Sequence, residues 1–126
     1  MVIKRILYVE DTISKAMDVL NQLKSMGYTE VEWVSNAKTA VEKVENADAP
    51  FDLFLFDMHF NFYGENDYSA GEHLMKLLRE KGYDTPVVFC SSVNYIIPGA
   101  VGNIYYHPDR YWEDETKDVF ERIKKM

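Results

Sequence analysis

The sequence predicts an α/β fold of three layers, α/β/α, in which a five-stranded parallel sheet lies between helices on both of its faces. Apolar segments of strand length alternate along the chain with segments whose apolar residues recur at helical spacing. The segment "FDLFLF" at residues 51–56 is apolar almost throughout, as expected for a parallel strand covered on both faces. This alternation indicates βαβ units with right-handed crossovers.

The sequence contains five candidate strands and four candidate helices. The predicted strands lie within residues 3–11, 30–35, 51–57, 85–92 and 101–108. The predicted helices run from residue 13 to 26, from 37 to a point before Pro50, from 69 to 82, and from 112 to 123. The spacing of the first helix rests on Ile13, Met17, Leu20, Leu23 and Met26.

The third helix has a recognisable start and stop. "SAGE" at residues 69–72 matches a capping box, in which Ser69 caps the first turn and Glu72 reaches back to it. Gly82 can adopt the left-handed conformation that ends a helix, and Gly27 does the same for the first helix.

Length and composition indicate one domain that spans residues 1–126. The net charge of −7 and the pI of about 4.9 argue against binding to nucleic acid or to anionic membranes. The lone cysteine, Cys90, lies in an apolar stretch and is interpreted as a small buried residue. Without a disulfide framework, a signal peptide or a membrane-length apolar segment, the protein is expected to be soluble and cytoplasmic.

Polar residues follow the predicted strands and should share one edge of the sheet. They are Glu10 and Asp11 after the first strand, Asp57 after the third, Ser91 and Ser92 after the fourth, and His107 after the fifth. In open α/β sheets, ligands bind outside the carboxyl ends of the strands, so this edge is the candidate site.

Three carboxylates at one edge repel one another, and a bound Mg²⁺ would relieve that repulsion. A serine hydroxyl and a histidine beside the metal could hold an anion, which points to phosphoryl transfer with Asp57 as the nucleophile. Simpler interpretations remain for each residue. Glu10 and Asp11 could be a solvated strand end, Asp57 a structural cap, Ser91 the start of a loop, and His107 a polar residue beside a proline.

Four segments, "YVEDT", "LFLFDMH", "PVVFCSS" and "YYHP", occur in the order found in response-regulator receiver domains, and the chain resembles that family over essentially its whole length. The resemblance implies a flavodoxin-like fold and transfer of a phosphoryl group to Asp57 from a histidine kinase or phosphotransfer protein. It implies Mg²⁺ held by Glu10, Asp11, Asp57 and the backbone carbonyl of His59, with Ser91 bonded to a phosphoryl oxygen. Such a domain is a phosphoacceptor rather than an enzyme, catalysing at most its own phosphorylation and dephosphorylation.

The sequence departs from the receiver pattern in three places. The family has a lysine before the proline that follows the last strand, and here His107 stands there, with an imidazole in place of the longer, permanently charged lysine side chain. Residues 58–70 form a longer loop, rich in aromatic residues, that either packs on its own domain or contacts a partner. Residues 93–103 are too short and too rich in Pro and Gly for the usual fourth helix, which should be reduced or missing.

These departures leave alternatives to a stand-alone receiver that signals through protein contacts. A pseudo-receiver would keep the fold and bind a partner without phosphorylation. A hydrolase of the haloacid-dehalogenase type is disfavoured because "VEDT" lacks the Asp-x-Asp that this family places after the first strand. A flavodoxin is disfavoured because "EDTISK" has acids where a flavin phosphate needs small residues and backbone amides.

Overall fold

The computed structural model describes residues 1–126 and confirms the predicted fold class. Five parallel strands form one sheet: β1 (Arg5–Val9), β2 (Glu30–Val34), β3 (Leu53–Phe56), β6 (Val87–Ser91) and β7 (Gly102–Tyr105). Their order across the sheet is β2-β1-β3-β6-β7, so the direction of winding reverses between β1 and β3. That reversal places a crevice at the carboxyl ends of these two strands.

Four helices cover the two faces of the sheet: α1 (Ile13–Ser25), α2 (Ala37–Glu45), α3 (Ala70–Glu80) and α4 (Trp112–Lys124). Helices α1 and α4 pack with one set of buried residues, and α2 and α3 pack with the other. Because side chains alternate along a strand, Leu7 and Phe54 enter the second core while Tyr8 and Leu55 enter the first. No helix combines the length and apolar character needed to cross a membrane.

Helix α1 packs on the sheet with only some of the apolar residues that predict it: Leu23 is fully buried and Leu20 and Met26 pack against the same core, but Ile13 and Met17 do not. Ile13 is 68% exposed and Met17 is 50% exposed. The buried residues of this helix are Lys15, Ala16, Val19 and Leu23. The helix is thus rotated so that a lysine near its first turn points toward the sheet edge, and two large apolar side chains face outward.

The long segment after β3 forms a β-hairpin. The sequence predicted only a loop rich in aromatic residues there. The strands of the hairpin are β4 (Phe60–Phe62) and β5 (Glu65–Asp67), and they pair antiparallel. Tyr63 and Gly64 form the two-residue connection with φ values of 52° and 96°, which is the left-handed conformation that such tight hairpin turns require. Phe60 is fully buried in the α2–α3 core, so the hairpin is anchored to its own domain.

The predicted capping box at the start of α3 does not form. Ser69 occupies the N-cap position, but its side chain makes no capping hydrogen bond. Instead, its backbone N–H donates to Oδ1 of Asp67 at 2.8 Å. The end of β5 lies directly before the helix, and the Asp67 carboxylate thus accepts from the backbone N–H that the Glu72 side chain was expected to bind.

The connection between β6 and β7 contains no helix, in keeping with the expectation for residues 93–103. Tyr95, Ile97 and Ala100 of this segment pack against the α2–α3 core, and Ile96 is 94% exposed. A short connection of loops and turns therefore covers the part of the sheet where receiver domains were expected to have a helix.

Candidate functional site

The three predicted acids meet at the carboxyl edge of the sheet, where the strand order reverses. Strands β1 and β3 are direct neighbours, with Val9 paired to Phe56, so the residues that follow them emerge side by side. Carboxylate oxygens of Glu10, Asp11 and Asp57 all lie within 4.8 Å of one another. The structure therefore assembles the acidic cluster that the strand ends predicted.

Backbone contacts fix the position of the two more buried acids. The N–H of Asp57 donates to the Val9 carbonyl at 2.9 Å, which continues the pairing of β1 with β3 by one residue. Glu10 is fully buried, and its Oε2 accepts from the Thr12 N–H at 3.1 Å. The indole N–H of Trp33 donates to the Glu10 carbonyl at 2.8 Å. Both carboxylates are thus held by rigid strand ends.

Lys15 of α1 joins this cluster, and the sequence did not single it out. Its Nζ lies 2.8 Å from Oε1 of Glu10 and 3.0 Å from Oδ1 of Asp57. The same ammonium donates to the Cys90 carbonyl on β6 at 2.7 Å. The side chain is only 9% exposed, so the three ammonium protons have three protein acceptors in a nearly dry site.

Burial and charge compete in this cluster. Burial, together with the neighbouring Asp57, raises the pKa of Glu10 to about 7, although Lys15 acts in the opposite direction. Burial lowers the pKa of Lys15, but Cys90, Asp57 and Glu10 raise it by more, so the pKa lies above its ordinary value. The lysine therefore stays charged and is the internal counter-ion of the two buried acids.

A cavity of about 230 Å³ opens beside Asp57. Its lining includes Asp11, Lys15, His59 and Ser91. Ser91 is buried, and its Oγ accepts from the Val93 N–H at 3.2 Å. Two of the predicted acids, Asp11 and Asp57, thus line one cavity together with the predicted serine.

His59 lies at this cavity with its ring stacked on Tyr68, the ring centroids being 4.4 Å apart. Its Nε2 is buried without a hydrogen-bond partner. The resemblance suggested a contribution only from the backbone carbonyl of His59, and the structure also stacks its ring on Tyr68, another residue of the cavity lining.

His107 is not among the residues that line the cavity. Its side chain is 41% exposed, and its Nδ1 accepts from the Asp109 N–H at 3.2 Å. The carbonyl of His107 accepts from the Arg110 N–H at 3.0 Å, which closes a turn immediately after β7. No peptide bond in the chain is cis. The structure thus brings Glu10, Asp11, Asp57 and Ser91 together and leaves His107 in the surface turn.

Cys90 is 1% exposed, and burial raises the pKa of its thiol to about 12. A thiol of this kind is protonated and inert, as the apolar context of the residue suggested. The contribution of Cys90 to the site is its backbone carbonyl, which accepts the hydrogen bond from Lys15.

The carboxylate cluster fits Mg²⁺. Three oxygen-donor side chains converge at an edge that is open to water on the Asp11 side, and a hard cation that retains several waters prefers such a set. With the acids ionised, three negative charges and the single positive charge of Lys15 leave a net charge that a divalent cation would balance.

Solved structures of receiver domains match nearly the whole chain. The N-terminal domain of a response regulator/sensory box/GGDEF three-domain protein from Carboxydothermus hydrogenoformans is 26% identical, with 97% of each chain covered and a TM-score of 0.71. The chemotaxis response regulator CheY4 of Vibrio cholerae is 22% identical, with 97% of this chain and 99% of that chain covered and a TM-score of 0.71. The response regulator TrrA from Thermotoga maritima, solved in complex with Mg²⁺-BeF, is 22% identical, with 98% of each chain covered and a TM-score of 0.72.

No protein-family model and no curated protein matches the sequence. The family resemblance therefore rests on the four quoted segments and on the structure. Over nearly its whole length, the chain therefore has the flavodoxin-like fold of response-regulator receiver (CheY-like) domains.

Proposed function

We propose that the protein is a phosphoacceptor receiver domain that takes a phosphoryl group onto Asp57 in a Mg²⁺-dependent two-component phosphorelay. The observation that supports this most directly is the position of Asp57. Its carboxylate is held at the strand-order reversal, beside two further acids and a buried ammonium, and it faces a cavity of about 230 Å³.

In the proposed step, an oxygen of the Asp57 carboxylate attacks the phosphorus of the donor. The new bond is an acyl P–O bond, and the bond that breaks is the P–N bond of a phosphohistidine, whose electron pair stays on the imidazole nitrogen. Small acyl phosphates such as acetyl phosphate would react in the same way, with a P–O bond breaking and acetate leaving. Catalysis consists of positioning and of charge neutralisation, since no general base is needed to ionise a carboxylate.

Glu10, Asp11 and Asp57 would hold the Mg²⁺, together with the backbone carbonyl of His59. The metal would supply Lewis-acid neutralisation of the negative charge that accumulates between Asp57 and the phosphoryl oxygens. The chain contributes the placement of these ligands on rigid strand ends and the exclusion of water from the Glu10 side of the cluster. Ser91 contributes a hydroxyl at the cavity wall, where it can donate to a phosphoryl oxygen.

A histidine kinase or a phosphotransfer protein is the proposed donor. The structural neighbours support this choice because they are described as response regulators and receiver domains, one of them solved with Mg²⁺-BeF. The proposed output is contact with a further protein or transfer of the phosphoryl group onward.

The test is the intact mass of the protein after incubation with Mg²⁺ and acetyl phosphate. We expect one added phosphoryl group on the wild type, and none on Asp57→Asn or when the metal is chelated. Asp52→Asn is a matched control because Asp52 lies before the same strand and its carboxylate binds the N–H groups of Lys4 and Arg5, away from the site. That variant should be labelled like the wild type.

If no label appears, the beryllofluoride mimic separates a short-lived adduct from an inactive site. Binding of the mimic to the Mg²⁺-loaded wild type would preserve the proposal. Failure of both measurements would overturn it and favour a pseudo-receiver that binds its partner without phosphorylation.

A further inference from the structure

We propose that Lys15 is the cation that holds the phosphoryl group, in the role that the family assigns to a lysine at the position of His107. The inference rests on the proposed function, since it concerns the group that Asp57 would accept. It assigns a positioning role to a residue on α1, which is a different element from the one that provides the lysine in the receiver pattern.

The geometry of the ammonium supports this assignment. Nζ lies between β3 and β6, where it is 3.0 Å from Oδ1 of Asp57 and donates to the Cys90 carbonyl at 2.7 Å. Ser91, the predicted phosphoryl-binding hydroxyl, is the next residue along β6. A phosphoryl group on Asp57 would therefore have the Lys15 ammonium on one side and Ser91 on the other.

No other lysine and no arginine can take this role without a rearrangement. Lys15 is the one lysine or arginine among the residues that line the Asp57 cavity. His107 lies outside that lining, with its Nδ1 bonded to the N–H of Asp109. The charge that the family pattern places after the last strand is thus provided here from the first helix.

The contacts of Lys15 also suggest how it changes partners. Two of its three acceptors are Glu10 and Asp57, which are also two of the proposed metal ligands. These carboxylates would hold Mg²⁺ with the same oxygens that now accept from the ammonium, so the two cations would compete for them. The N–H groups that Lys15 directs at the two carboxylates would then be free to bond a phosphoryl oxygen, while the Cys90 carbonyl keeps the side chain in place.

The buried position of Lys15 argues against a purely structural role. It lies on the same face of α1 as Ala16, Val19 and Leu23, where an apolar side chain would pack against the sheet. A buried ion pair is often no more stable than apolar residues of similar size, because two charges must be removed from water. A lysine at this position is explained if the cavity needs a positive charge to hold the phosphoryl group on Asp57.

The test compares Lys15→Met with the wild type in two separate titrations, by calorimetry with Mg²⁺ alone and by fluorine NMR with beryllofluoride on the Mg²⁺-loaded protein. We expect Lys15→Met to bind Mg²⁺ as tightly as the wild type or more tightly, because a competing cation is gone. We expect it to bind beryllofluoride about tenfold more weakly or worse, which corresponds to the loss of one charge-assisted hydrogen bond. His107→Gln should match the wild type in both titrations.

Two results would overturn the inference. One is wild-type affinity of Lys15→Met for beryllofluoride, and the other is a loss in His107→Gln as large as that in Lys15→Met. If the wild type itself binds neither Mg²⁺ nor beryllofluoride, the proposed function fails instead, so the two failures are distinguishable.

If Lys15→Met does not fold, the side-chain ammonium signal of Lys15 in wild-type protein labelled with ¹⁵N-lysine decides the question. We expect this signal to shift when Mg²⁺ is added and to shift again when beryllofluoride is added to the Mg²⁺-loaded protein. An ammonium signal that does not respond to beryllofluoride, while fluorine NMR shows the ligand bound, would overturn the inference.

Discussion

Gly71 lies so close to Asp57 that a Cβ at residue 71 would overlap the backbone oxygen of Asp57 and lie 2.9 Å from the Phe89 ring. The N–H of Gly71 also donates to the Met58 carbonyl at 3.1 Å. The start of α3 is thus packed directly on the segment that contains the proposed phosphoacceptor. Any added volume at residue 71 must displace either the helix or Asp57.

Gly71→Ala should therefore destabilise the protein, although alanine is the better helix former. The propensity gain is about 1 kcal/mol, whereas forcing a methyl group against backbone and a buried ring costs about 1–3 kcal/mol. Urea denaturation should show a lower midpoint for Gly71→Ala and little change, within about 0.5 kcal/mol, for the exposed control Lys76→Ala. An increase in stability would contradict this close contact.

Trp33 should report metal binding, since its indole N–H donates to the carbonyl of Glu10 at 2.8 Å. The chain has two tryptophans, so Trp112→Phe leaves Trp33 as the only one. In that background we expect a saturable change of fluorescence with Mg²⁺ that EDTA reverses. Asp11→Asn should weaken the apparent affinity about tenfold or more, because one of few carboxylate ligands is neutralised.

The control for this titration is Glu30→Gln, which removes an acid of β2 whose partner is Lys4, 3.9 Å away. It should leave the Mg²⁺ affinity unchanged, which separates a specific site from the general attraction of an acidic protein for cations. Equal losses in Asp11→Asn and Glu30→Gln would argue against a metal site at the strand ends.

The acidic cluster could be predicted from the sequence because all strands of a parallel sheet run in the same direction. Glu10 and Asp57 each follow an apolar strand, and the carboxyl ends of parallel strands meet at one edge. Ser91 was placed by the same reasoning. None of these inferences needed side-chain detail, since strand direction alone brings the residues together.

Lys15 could not be found in this way because helix spacing alone does not show which face is buried. Ile13 and Met17 suggest one apolar face, and the structure exposes both of them. A weak signal was present, since Lys15 shares a helical stripe with Val19 and follows the acidic pair closely. The expectation for His107 rested on its position relative to a proline, and that position does not determine the turn that places its side chain at the surface.

The start of α3 allows a direct comparison between two residues. Ser69→Ala should cost little, within about 0.5 kcal/mol, because the hydroxyl makes no capping bond. Asp67→Ala should cost about 1 kcal/mol or more, because Oδ1 accepts from the Ser69 N–H and Oδ2 lies 2.6 Å from Nδ1 of His73. Urea denaturation at neutral pH measures both losses of stability. A larger loss in Ser69→Ala than in Asp67→Ala would support the capping box instead.

The contribution of Asp67 should depend on pH. Partial burial raises the pKa of Asp67, but the hydrogen bonds from His73 and from the Ser69 N–H lower it by more, so the pKa lies below its ordinary value. The folded state thus binds this proton more weakly than the unfolded state. The stability that results is fully present above the unfolded pKa, about 3.9, and is lost as the pH falls through the folded pKa.

We therefore expect the stability difference between wild type and Asp67→Asn to stay constant between about pH 5 and pH 6. The difference should shrink below about pH 4. In a His73→Ala background, the stability difference caused by Asp67→Asn should be smaller and should depend less on pH. A difference that grows toward low pH would mean that the pKa of Asp67 is raised rather than lowered.

Substitutions at two aromatic residues of the hairpin after β3 should have different effects on stability. Phe60 is fully buried in the core between α2 and α3, so Phe60→Ala should lose about 3–5 kcal/mol of stability. Tyr63 is 48% exposed and has a φ of 52°, at a turn position that favours asparagine before glycine. Tyr63→Asn should leave stability unchanged or raise it by up to about 1 kcal/mol, through relief of backbone strain. Denaturant midpoints measure both variants, and a large loss in Tyr63→Asn would show that the exposed ring is held by its own domain rather than left free for a partner.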